Sequence, residues 1–428
     1  MNSPTQHTTK YKNSPLGLIP IDWEVKELAE EIEQLEAGVS VNSIDEQIRN
    51  GDKCILKTSA ISGGLFIEKE CKKIIVTDIK RAKLNPKKDS ILISRMNTPD
   101  LVGECGYVSD NYPNLYLPDR LWQTKFFEKS TISAKWLNYL LNTTEYKLKI
   151  KSSATGTSNS MKNISKSSFL SIKIPLPTTP EQKAIADCLS TWDKAIEKHT
   201  ALIAQKELAQ KALMQQLLSG KKRLKGFEKK WEVKPLTELL IYTPREIDKP
   251  KIPFLALGLR SHGKGVFHKN DFDPKAIAMD KLYVVKENDL VINITFAWEQ
   301  AVAIASKKDE GGLVSHRFPT YTFNNKNATF LYFKFFILGT KFKSMLDLIS
   351  PGGAGRNRVM SKKDFLKLEI KIPEIEEQTA IANVLQCADR EILLLKNKLT
   401  QLKEQKKGLM QVLLTGKKRL RIKHSNHK

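Results

Sequence analysis

Apolar residues recur at alternating spacings of three and four in two long stretches of the chain. In the later stretch they are Ile381, Leu385, Ala388, Ile392, Leu395, Leu399, Leu402, Leu409 and Leu413, and in the earlier one Ile185, Leu189, Trp192, Ile196, Ile203, Leu213 and Leu217. This spacing is typical of coiled-coil helices. Each stretch predicts a helix of about 37 residues, or roughly 55 Å. Because each apolar stripe needs a partner, we expect the two helices to pack as an antiparallel coiled coil.

Two polar residues, His199 and Lys206, interrupt the earlier seam where the later seam has Leu395 and Leu402. Polar seam residues can set the register of a coiled coil. They also occur where a seam opens to solvent or to another subunit, which is the interpretation we favour.

The two helical stretches belong to an internal repeat. Residues 169–224 align with residues 365–420 without a gap, with about 24 of 56 positions identical. Both copies end in Gly-Lys-Lys-Arg-Leu, at 220–224 and 416–420, and both contain Glu-Gln, at 181–182 and 377–378. Each half also opens on Trp-Glu-Val-Lys, at 23–26 and 231–234. The copies therefore agree in their helical ends and diverge in the parts that precede them.

The part of each half before its long helix has short β-rich runs separated by Gly, Asn, Pro and Ser. Predicted strands are 55–58, 73–76, 91–94 and 172–174 in the first half, and 254–257, 281–285, 290–293 and 368–372 in the second. Helical pieces are predicted within 133–149 and 328–348. The fold class is therefore α+β: two tandem globular domains, each followed by a long helix, related by an internal pseudo-two-fold duplication.

The net charge of the chain favours a nucleic-acid binder over a scaffold. Lys and Arg number 71 against 47 Asp and Glu, a net charge of +24. Such an excess favours a polyanionic partner, although a generally Lys-rich proteome would also produce it. The five cysteines are widely spaced and form no Cys-x-x-Cys pair, which argues against a disulfide framework or a zinc site. No segment resembles a signal peptide or a membrane span, so we expect a cytoplasmic protein.

Two loops rich in small and polar residues recur in both halves, at 152–160 and 350–358, and suit close approach to phosphates and base edges. A plain surface loop is an equally good interpretation. Further candidates follow predicted strands, where Arg and Asn can read guanine and adenine. The DNA-contact candidates are Lys57, Thr58, Ser94, Arg95, Asn97, Thr98, Thr155, Gly156, Thr157, Ser158, Asn159 and Lys162 in the first half, and Arg260, Asn293, Thr295, His316, Arg317, Gly352, Gly353, Gly355, Arg356, Asn357 and Arg358 in the second.

Catalytic motifs are incomplete. Gly258 to Lys264 has the spacing of a phosphate-binding loop, but Gly265 stands where Ser or Thr should bind magnesium, so a Gly-rich turn after a strand is the better account. No methyltransferase, nuclease or Ser-His-Asp pattern is complete, and no metal site is predicted.

This ordered set of motifs, occurring twice, resembles the specificity subunit of type I restriction–modification systems. The residues that carry the resemblance are the two Trp-Glu-Val-Lys openings, the Ile-Pro segments at 174–175 and 372–373 leading into Glu-Gln, and the helix endings at 217–220 and 413–416. The resemblance covers nearly the whole chain. Recognition domains vary so much within this family that base-contacting residues do not carry over.

The resemblance implies a non-catalytic subunit. Each globular part would be a target recognition domain that reads one half of a split sequence in double-stranded DNA. The paired helices would set the spacer and dock two methyltransferase subunits, with two restriction subunits joining in the full complex. S-adenosylmethionine, ATP and Mg would belong to the partner subunits, and this chain would hold no cofactor.

The predicted segments are a tail over 1–18, a recognition domain over 19–176, a helix and basic linker over 177–225, a second recognition domain over 226–372, a second helix over 373–420, and a basic tail over 421–428. Three alternatives stay open. They are a specificity subunit of a methylation-only system, a coiled-coil scaffold without DNA readout, and an enzyme with a divergent site.

Overall fold

The computed structural model describes residues 10–156, 161–352 and 358–421. Contacts divide the chain into two units, each of which joins distant parts of the sequence. Unit 1 comprises Met1–Lys198 with Leu399–Lys428, and unit 2 comprises His199–Lys398. This division cuts across both long helices, so the six consecutive segments predicted above stay a prediction.

In both units a run of strands precedes a pair of helices, in agreement with the predicted α+β class. The helices are Leu28–Glu31, Ala134–Leu141, Thr144–Ser152, Lys166–Leu170, Thr179–Leu218, Leu236–Leu239, Phe330–Phe336, Thr340–Leu348, Lys362–Lys367 and Ile375–Leu413. We call Thr179–Leu218 long helix 1 and Ile375–Leu413 long helix 2. The predicted helical regions 133–149 and 328–348 each contain two helices. Thr143 caps the second helix of the first pair, with its side chain accepting from the Tyr146 N–H.

Unit 1 contains a six-stranded and a four-stranded sheet. The six-stranded sheet has the order Ile32–Ala37, Leu121–Phe126, Ile91–Ser94, Cys105–Tyr107, Leu65–Phe66 and Ile61–Ser62, and the four-stranded sheet Leu115–Tyr116, Cys54–Leu56, Cys71–Ile74 and Ser43–Ile44. Two-stranded pairs join Tyr11–Ser14 to Gly17–Pro20, Met96–Asn97 to Lys162–Asn163, and Glu24–Glu27 to Lys173–Leu176.

Unit 2 repeats part of this strand arrangement and differs in the rest. A four-stranded sheet has the order Leu240–Tyr242, Thr320–Phe323, Leu290–Ile292 and Val302–Ile304, and a five-stranded sheet Glu246–Asp248, Lys281–Val284, Leu313–Val314, Phe254–Leu259 and Val266–Phe272. Its four-stranded sheet repeats the first four strands of the six-stranded sheet of unit 1 in the same order, with all neighbours antiparallel in both units. Its two-stranded pair, Glu232–Pro235 with Glu369–Ile372, repeats the pair Glu24–Glu27 with Lys173–Leu176. The second sheets differ, with four strands in unit 1 and five in unit 2.

The core of each unit includes the beginning of one long helix and the end of the other. In unit 1, Leu189 of long helix 1 and Leu413 of long helix 2 are buried in one cluster with Trp23 and Trp136. In unit 2, Leu385 of long helix 2 and Leu217 of long helix 1 are buried in one cluster that contains Trp231. A helix beginning packed beside a helix end requires antiparallel packing, as the heptads predicted.

Burial along the predicted seam differs between the helix ends and the middle. Ile185, Leu189, Ile203, Leu217, Ile381, Leu385, Ile392 and Leu413 are buried, whereas Trp192, Ile196, Leu213, Leu395, Leu399, Leu402 and Leu409 are half-buried. Most buried positions lie where a long helix meets the rest of its unit. Lys206 forms an ion pair with Glu391 of long helix 2, its Nζ 2.6 Å from the carboxylate. It therefore has an acidic partner on the opposite helix, and both side chains stay partly exposed, at 40% and 49%.

The repeated Glu-Gln pair connects each long helix to the preceding segment. Gln182 is fully buried, and its side chain accepts from the Ser133 N–H at 2.7 Å and donates to the Pro177 carbonyl at 2.9 Å. Gln378 does the same with the Thr329 N–H at 3.1 Å and the Pro373 carbonyl at 2.9 Å. A buried amide with both ends paired holds a fixed orientation, so each helix beginning is fixed to the segment that precedes it.

Candidate DNA interface and its supporting frame

Three sequence motifs of the repeat meet in a Trp–Glu–Arg cluster in each unit. In unit 1 the Trp23 indole donates to Glu181 at 2.9 Å, and the Arg419 guanidinium donates twice to the same carboxylate, at 2.8 and 2.6 Å. Arg419 also donates to both oxygens of Asp22, at 2.8 and 2.7 Å. These hydrogen bonds from Arg419 lower the pKa of the Asp22 carboxyl.

The cluster of unit 2 uses the equivalent residues. The Trp231 indole donates to Glu377 at 3.0 Å, and Arg223 donates to both oxygens of that carboxylate, at 2.6 and 2.7 Å. Glu181 and Glu377 are each only 1% exposed. A buried carboxylate needs such partners, so Trp, Glu and Arg are required together. In each unit, the Arg comes from the other copy of the repeat.

A backbone junction brings two of the candidate loops of unit 1 together. The Arg95 N–H donates to the Arg120 carbonyl at 3.1 Å, and the Arg95 carbonyl accepts from the Ile164 N–H at 2.9 Å. The next residues, Met96–Asn97, pair antiparallel with Lys162–Asn163. The loop after the strand Ile91–Ser94 therefore lies beside Lys162 and Asn163.

Unit 2 has the same junction with different side chains. The Ile294 N–H donates to the Arg317 carbonyl at 3.0 Å, and the Ile294 carbonyl accepts from the Met360 N–H at 2.8 Å. Lys362 donates from its Nζ to the His316 carbonyl at 3.1 Å, and burial lowers the pKa of this lysine. His316 and Arg317 are exposed beside this junction.

Cationic and polar side chains border both junctions. In unit 1, Thr98 and Arg120 are exposed, while Arg95 is half-buried with its Nε bound to the Asp119 carbonyl at 2.8 Å and its guanidinium 5.8 Å from the Trp122 ring centre. Lys162 donates to the Gly156 carbonyl at 2.7 Å. Such side chains can donate to phosphates and to base edges.

Arg120 was not among the sequence candidates. Its role matches that of Arg317, since each carbonyl accepts the hydrogen bond that closes its junction. The two positions lie 197 residues apart, whereas the repeat runs at 196, so an ungapped comparison does not superpose them. Aligning the strands that follow, Leu121–Phe126 and Thr320–Phe323, would have revealed the match.

Three candidates are buried and have partners within the protein. Ser94 is 0% exposed and accepts from the Asn97 amide at 3.1 Å, and Asn97 is 9% exposed. Asn293 is also 9% exposed, and its side-chain oxygen accepts from the Thr295 N–H at 3.0 Å. These side chains shape the loops after the strands, and we leave them out of the proposed DNA contacts.

Gly156 and Gly352 occupy equivalent positions in the two small-residue loops. Both have positive φ, +140° and +154°, and a Cβ on Gly156 would lie 2.9 Å from the Met161 carbonyl oxygen. Thr155 pairs with Asn163 at the base of the first loop. Thr157, Ser158, Asn159, Gly353, Gly355, Arg356 and Asn357 lie outside the described residues.

Arg358 anchors the second loop. Its guanidinium donates to the Ser350 carbonyl at 3.0 Å and to the Asp347 carboxylate at 2.7 Å, and it lies 5.1 Å from the Trp298 ring centre. The partners of this side chain are within unit 2, so its observed role is to hold the loop end.

Three further candidates are separated from both junctions along the chain. They are Lys57, Thr58 and Arg260. Lys57 and Thr58 follow the strand Cys54–Leu56 of the four-stranded sheet, whereas Arg95 follows a strand of the six-stranded sheet. Arg260 lies at the hairpin between Leu259 and Val266, 5.6 Å from the Phe267 ring centre.

The Gly-Lys sequence after Gly258 forms this hairpin turn. Gly258 is in the strand Phe254–Leu259, where a Cβ would lie 2.3 Å from the Phe267 ring, and Gly263 and Gly265 have positive φ. No group of His, Cys, Asp and Glu suited to a metal ion occurs among the residues that the structure describes. Within the same ranges, no helix is long and apolar enough to cross a membrane.

Comparison with known proteins identifies the class as a DNA specificity protein. The chain matches the type I restriction modification DNA specificity domain family over residues 20–207 and again over 228–404, and it belongs to that family. Proteins of this family are non-catalytic specificity subunits, in agreement with the prediction from the sequence.

Two relatives from Methanocaldococcus jannaschii match almost end to end. One is named as the MjaX type I restriction enzyme specificity subunit, and it is 28% identical over 96% of this chain and 97% of its own length. The MjaVIII specificity subunit is 24% identical over 95% of both chains.

Solved structures share the fold. The S subunit of a type I restriction–modification system from M. genitalium has a TM-score of 0.52 at 16% identity, covering 95% of this chain and 98% of that one. The HsdS subunit from Thermoanaerobacter tengcongensis has a TM-score of 0.53 at 15% identity, covering 95% and 100%. A chain from a study of complex assembly in the type I system has a TM-score of 0.57 at 14% identity, covering 93% and 99%.

Proposed function

We propose that this chain reads a bipartite target in double-stranded DNA, with each unit reading one half-site. The observation that carries the proposal is the duplicated junction: one backbone arrangement, present in both units, presents different side chains. Unit 1 offers Arg95, Arg120 and Lys162, while unit 2 offers Thr295, His316 and Arg317. The same backbone hydrogen bonds with different neighbouring side chains would let the two units read different DNA sequences.

The remaining parts of the proposal follow from the family. The long helices set the number of unread base pairs between the half-sites, and they dock two methyltransferase subunits. Those partners hold S-adenosylmethionine, while two restriction subunits supply the steps that need ATP and Mg. The excess of positive charge supports DNA binding, because each phosphate contact releases counterions.

The test uses the chain assembled with its methyltransferase subunit and maps methylated adenines by sequencing. Arg317→Ala is expected to relax one position in one half-site and to leave the other half-site unchanged. The cost in DNA binding is expected to be about 1–3 kcal/mol, or roughly 5- to 150-fold, for a base-reading Arg. Arg49→Ala, at an exposed position outside the junctions and the long helices, is the matched control.

Methylation without regard to sequence by the wild-type complex would contradict the proposal and favour a scaffold. Methylation at a defined site with no cleavage after all subunits and ATP are added would indicate a methylation-only system. Turnover by this chain alone would indicate an enzyme.

A further inference from the structure

A run of cations precedes the strand Ile91–Ser94 of unit 1. The twelve residues 79–90 contain five cations and a single acid, Asp89. The cations are Lys80, Arg81, Lys83, Lys87 and Lys88, and all five are exposed. Arg81 binds the Asp78 carboxylate at 2.8 Å, whereas no ion pair joins any of the four lysines to another described residue. We call these four lysines the lysine patch.

The backbone that carries the lysine patch is held in place by the sheets of unit 1. The Lys87 N–H donates to the side chain of Gln123 at 2.9 Å, and Gln123 is buried. The Leu84 carbonyl accepts from the Leu117 N–H at 3.0 Å. Because this backbone is fixed, a ligand of the patch would order little beyond the lysine side chains, which limits the entropic cost of binding.

The same two contacts place the lysine patch near the junction of unit 1. Arg120, whose carbonyl closes that junction, lies three residues after Leu117 and three residues before Gln123. Three residues span at most roughly 11 Å of chain. A DNA duplex that contacts Arg120 therefore passes close to the segment that carries the patch.

The corresponding segment of unit 2 has no excess of cations. The strand Leu290–Ile292 has the same place in its sheet as Ile91–Ser94, and the twelve residues before it, 278–289, contain two lysines and three acids. One of these lysines, Lys281, is paired with Asp248 at 2.8 Å. The junction is thus common to both units, whereas a lysine patch before this strand belongs to unit 1.

Four exposed ammonium groups on a fixed backbone are complementary to a row of phosphates. Lysine binds a phosphate as a point charge, and contacts of this kind carry no information about base sequence. Each phosphate that is neutralised also releases counterions, which favours binding at low salt.

We propose that the lysine patch binds DNA phosphates next to the unit 1 half-site, beyond the bases that this unit reads, and that residues 278–289 make no equivalent contact in unit 2. The inference rests on the proposed function, which supplies the duplex at the junction. It makes the phosphate contacts of the complex unequal on the two sides of its target.

The first test measures DNA binding over a range of salt concentrations, with the chain assembled with its methyltransferase subunit. The patch variant carries Lys80→Gln, Lys83→Gln, Lys87→Gln and Lys88→Gln. Each phosphate contact contributes about 0.9 to the slope of log affinity against log salt, so the slope should fall by up to about 3.6. Affinity should fall alike for target and non-target DNA, because the lost contacts are independent of sequence.

The matched control removes the same charge at four exposed positions outside the patch and the junctions. It carries Lys129→Gln, Lys251→Gln, Lys308→Gln and Lys326→Gln. This control should keep the wild-type slope, and a thermal melt of each variant checks folding. An unchanged slope in the patch variant would overturn the inference, as would an equal fall in the control or a loss confined to target DNA.

Phosphate ethylation of the target DNA locates the contacts. The half-site that Arg317→Ala relaxes belongs to unit 2, which identifies the other as that of unit 1. Ethylated phosphates next to the unit 1 half-site should weaken wild-type binding and leave the patch variant unaffected. If the phosphates that lose their effect lie beside the unit 2 half-site, the inference is wrong.

Failure of this inference is distinguishable from failure of the proposed function. Methylation at the wild-type sequence by the patch variant would leave the proposed DNA readout standing, whatever its salt slope. Methylation without regard to sequence by the wild-type complex would contradict the readout, while the salt slope would still report on the lysine patch.

Discussion

Unit 1 and unit 2 are alike where a long helix begins or ends and in four strands of one sheet, and they differ in the remaining strands. Both have the Trp–Glu–Arg cluster and a buried Gln that connects the helix beginning to the preceding segment. Their main sheets have six and four strands in unit 1, but four and five in unit 2. Under the proposed function, the divergent parts would read two different half-sites of DNA.

The largest expected loss of stability comes from removing the arginine of a Trp–Glu–Arg cluster. Arg223→Ala and Arg419→Ala each leave a buried carboxylate without its cation, and each is expected to destabilise the chain by about 3–5 kcal/mol. Urea unfolding measures the loss. The neighbouring exposed lysines provide controls, since Lys222→Ala and Lys418→Ala should change stability little. A large effect in one unit and none in the other would show that the clusters are not equivalent.

Packing of the helix beginnings provides a second comparison. Leu189 and Leu385 are equivalent positions, and both are 0% exposed. Leu189→Ala and Leu385→Ala are each expected to cost about 2–5 kcal/mol, because a cavity remains in a packed core. Leu395→Ala in the half-buried middle of the seam should cost less in the same urea experiment. Equal losses at all three positions would contradict the observed difference in burial.

The difference between the junctions is tested with Arg120, the counterpart of Arg317. Arg120→Ala is expected to weaken DNA binding by about 1–3 kcal/mol and to relax only the half-site read by unit 1. Methylation mapping with the assembled complex checks this. If Arg120→Ala and Arg317→Ala relax the same half-site, the assignment of one half-site to each unit is wrong.

The smallest expected effect concerns Asp22, whose carboxylate lies beside the Trp–Glu–Arg cluster of unit 1. Asp22 binds Arg419, whereas Lys230 precedes Trp231 in unit 2. Because Arg419 lowers the pKa of Asp22 in the folded chain, Asp22 stabilises the fold at neutral pH, and this contribution disappears as the pH falls through the lowered pKa. Asp22→Asn should therefore unfold at lower urea than wild type at pH 7, with the difference vanishing in acid. A difference that grows in acid would contradict this sign.

The sequence by itself was sufficient for the features that depend on local spacing. Heptads predicted the two long helices and their packing on each other, and the repeat predicted that the helix ends are shared. Short β-rich runs predicted eight of the strands but missed the long strands Ile32–Ala37, Leu121–Phe126 and Val266–Phe272. Helical and strand periodicities are properties of neighbouring residues, so they can be read directly from the chain.

The tertiary structure alone decided which distant residues meet. It places Arg419 on Glu181, 238 positions away in sequence, so that each unit takes its arginine from the other copy of the repeat. It also buries Ser94 and Asn97 while leaving Arg120 exposed beside the same junction. A residue's type does not state whether its side chain faces the core or the solvent at the end of a strand. That outcome depends on long-range pairing, which periodicity does not encode.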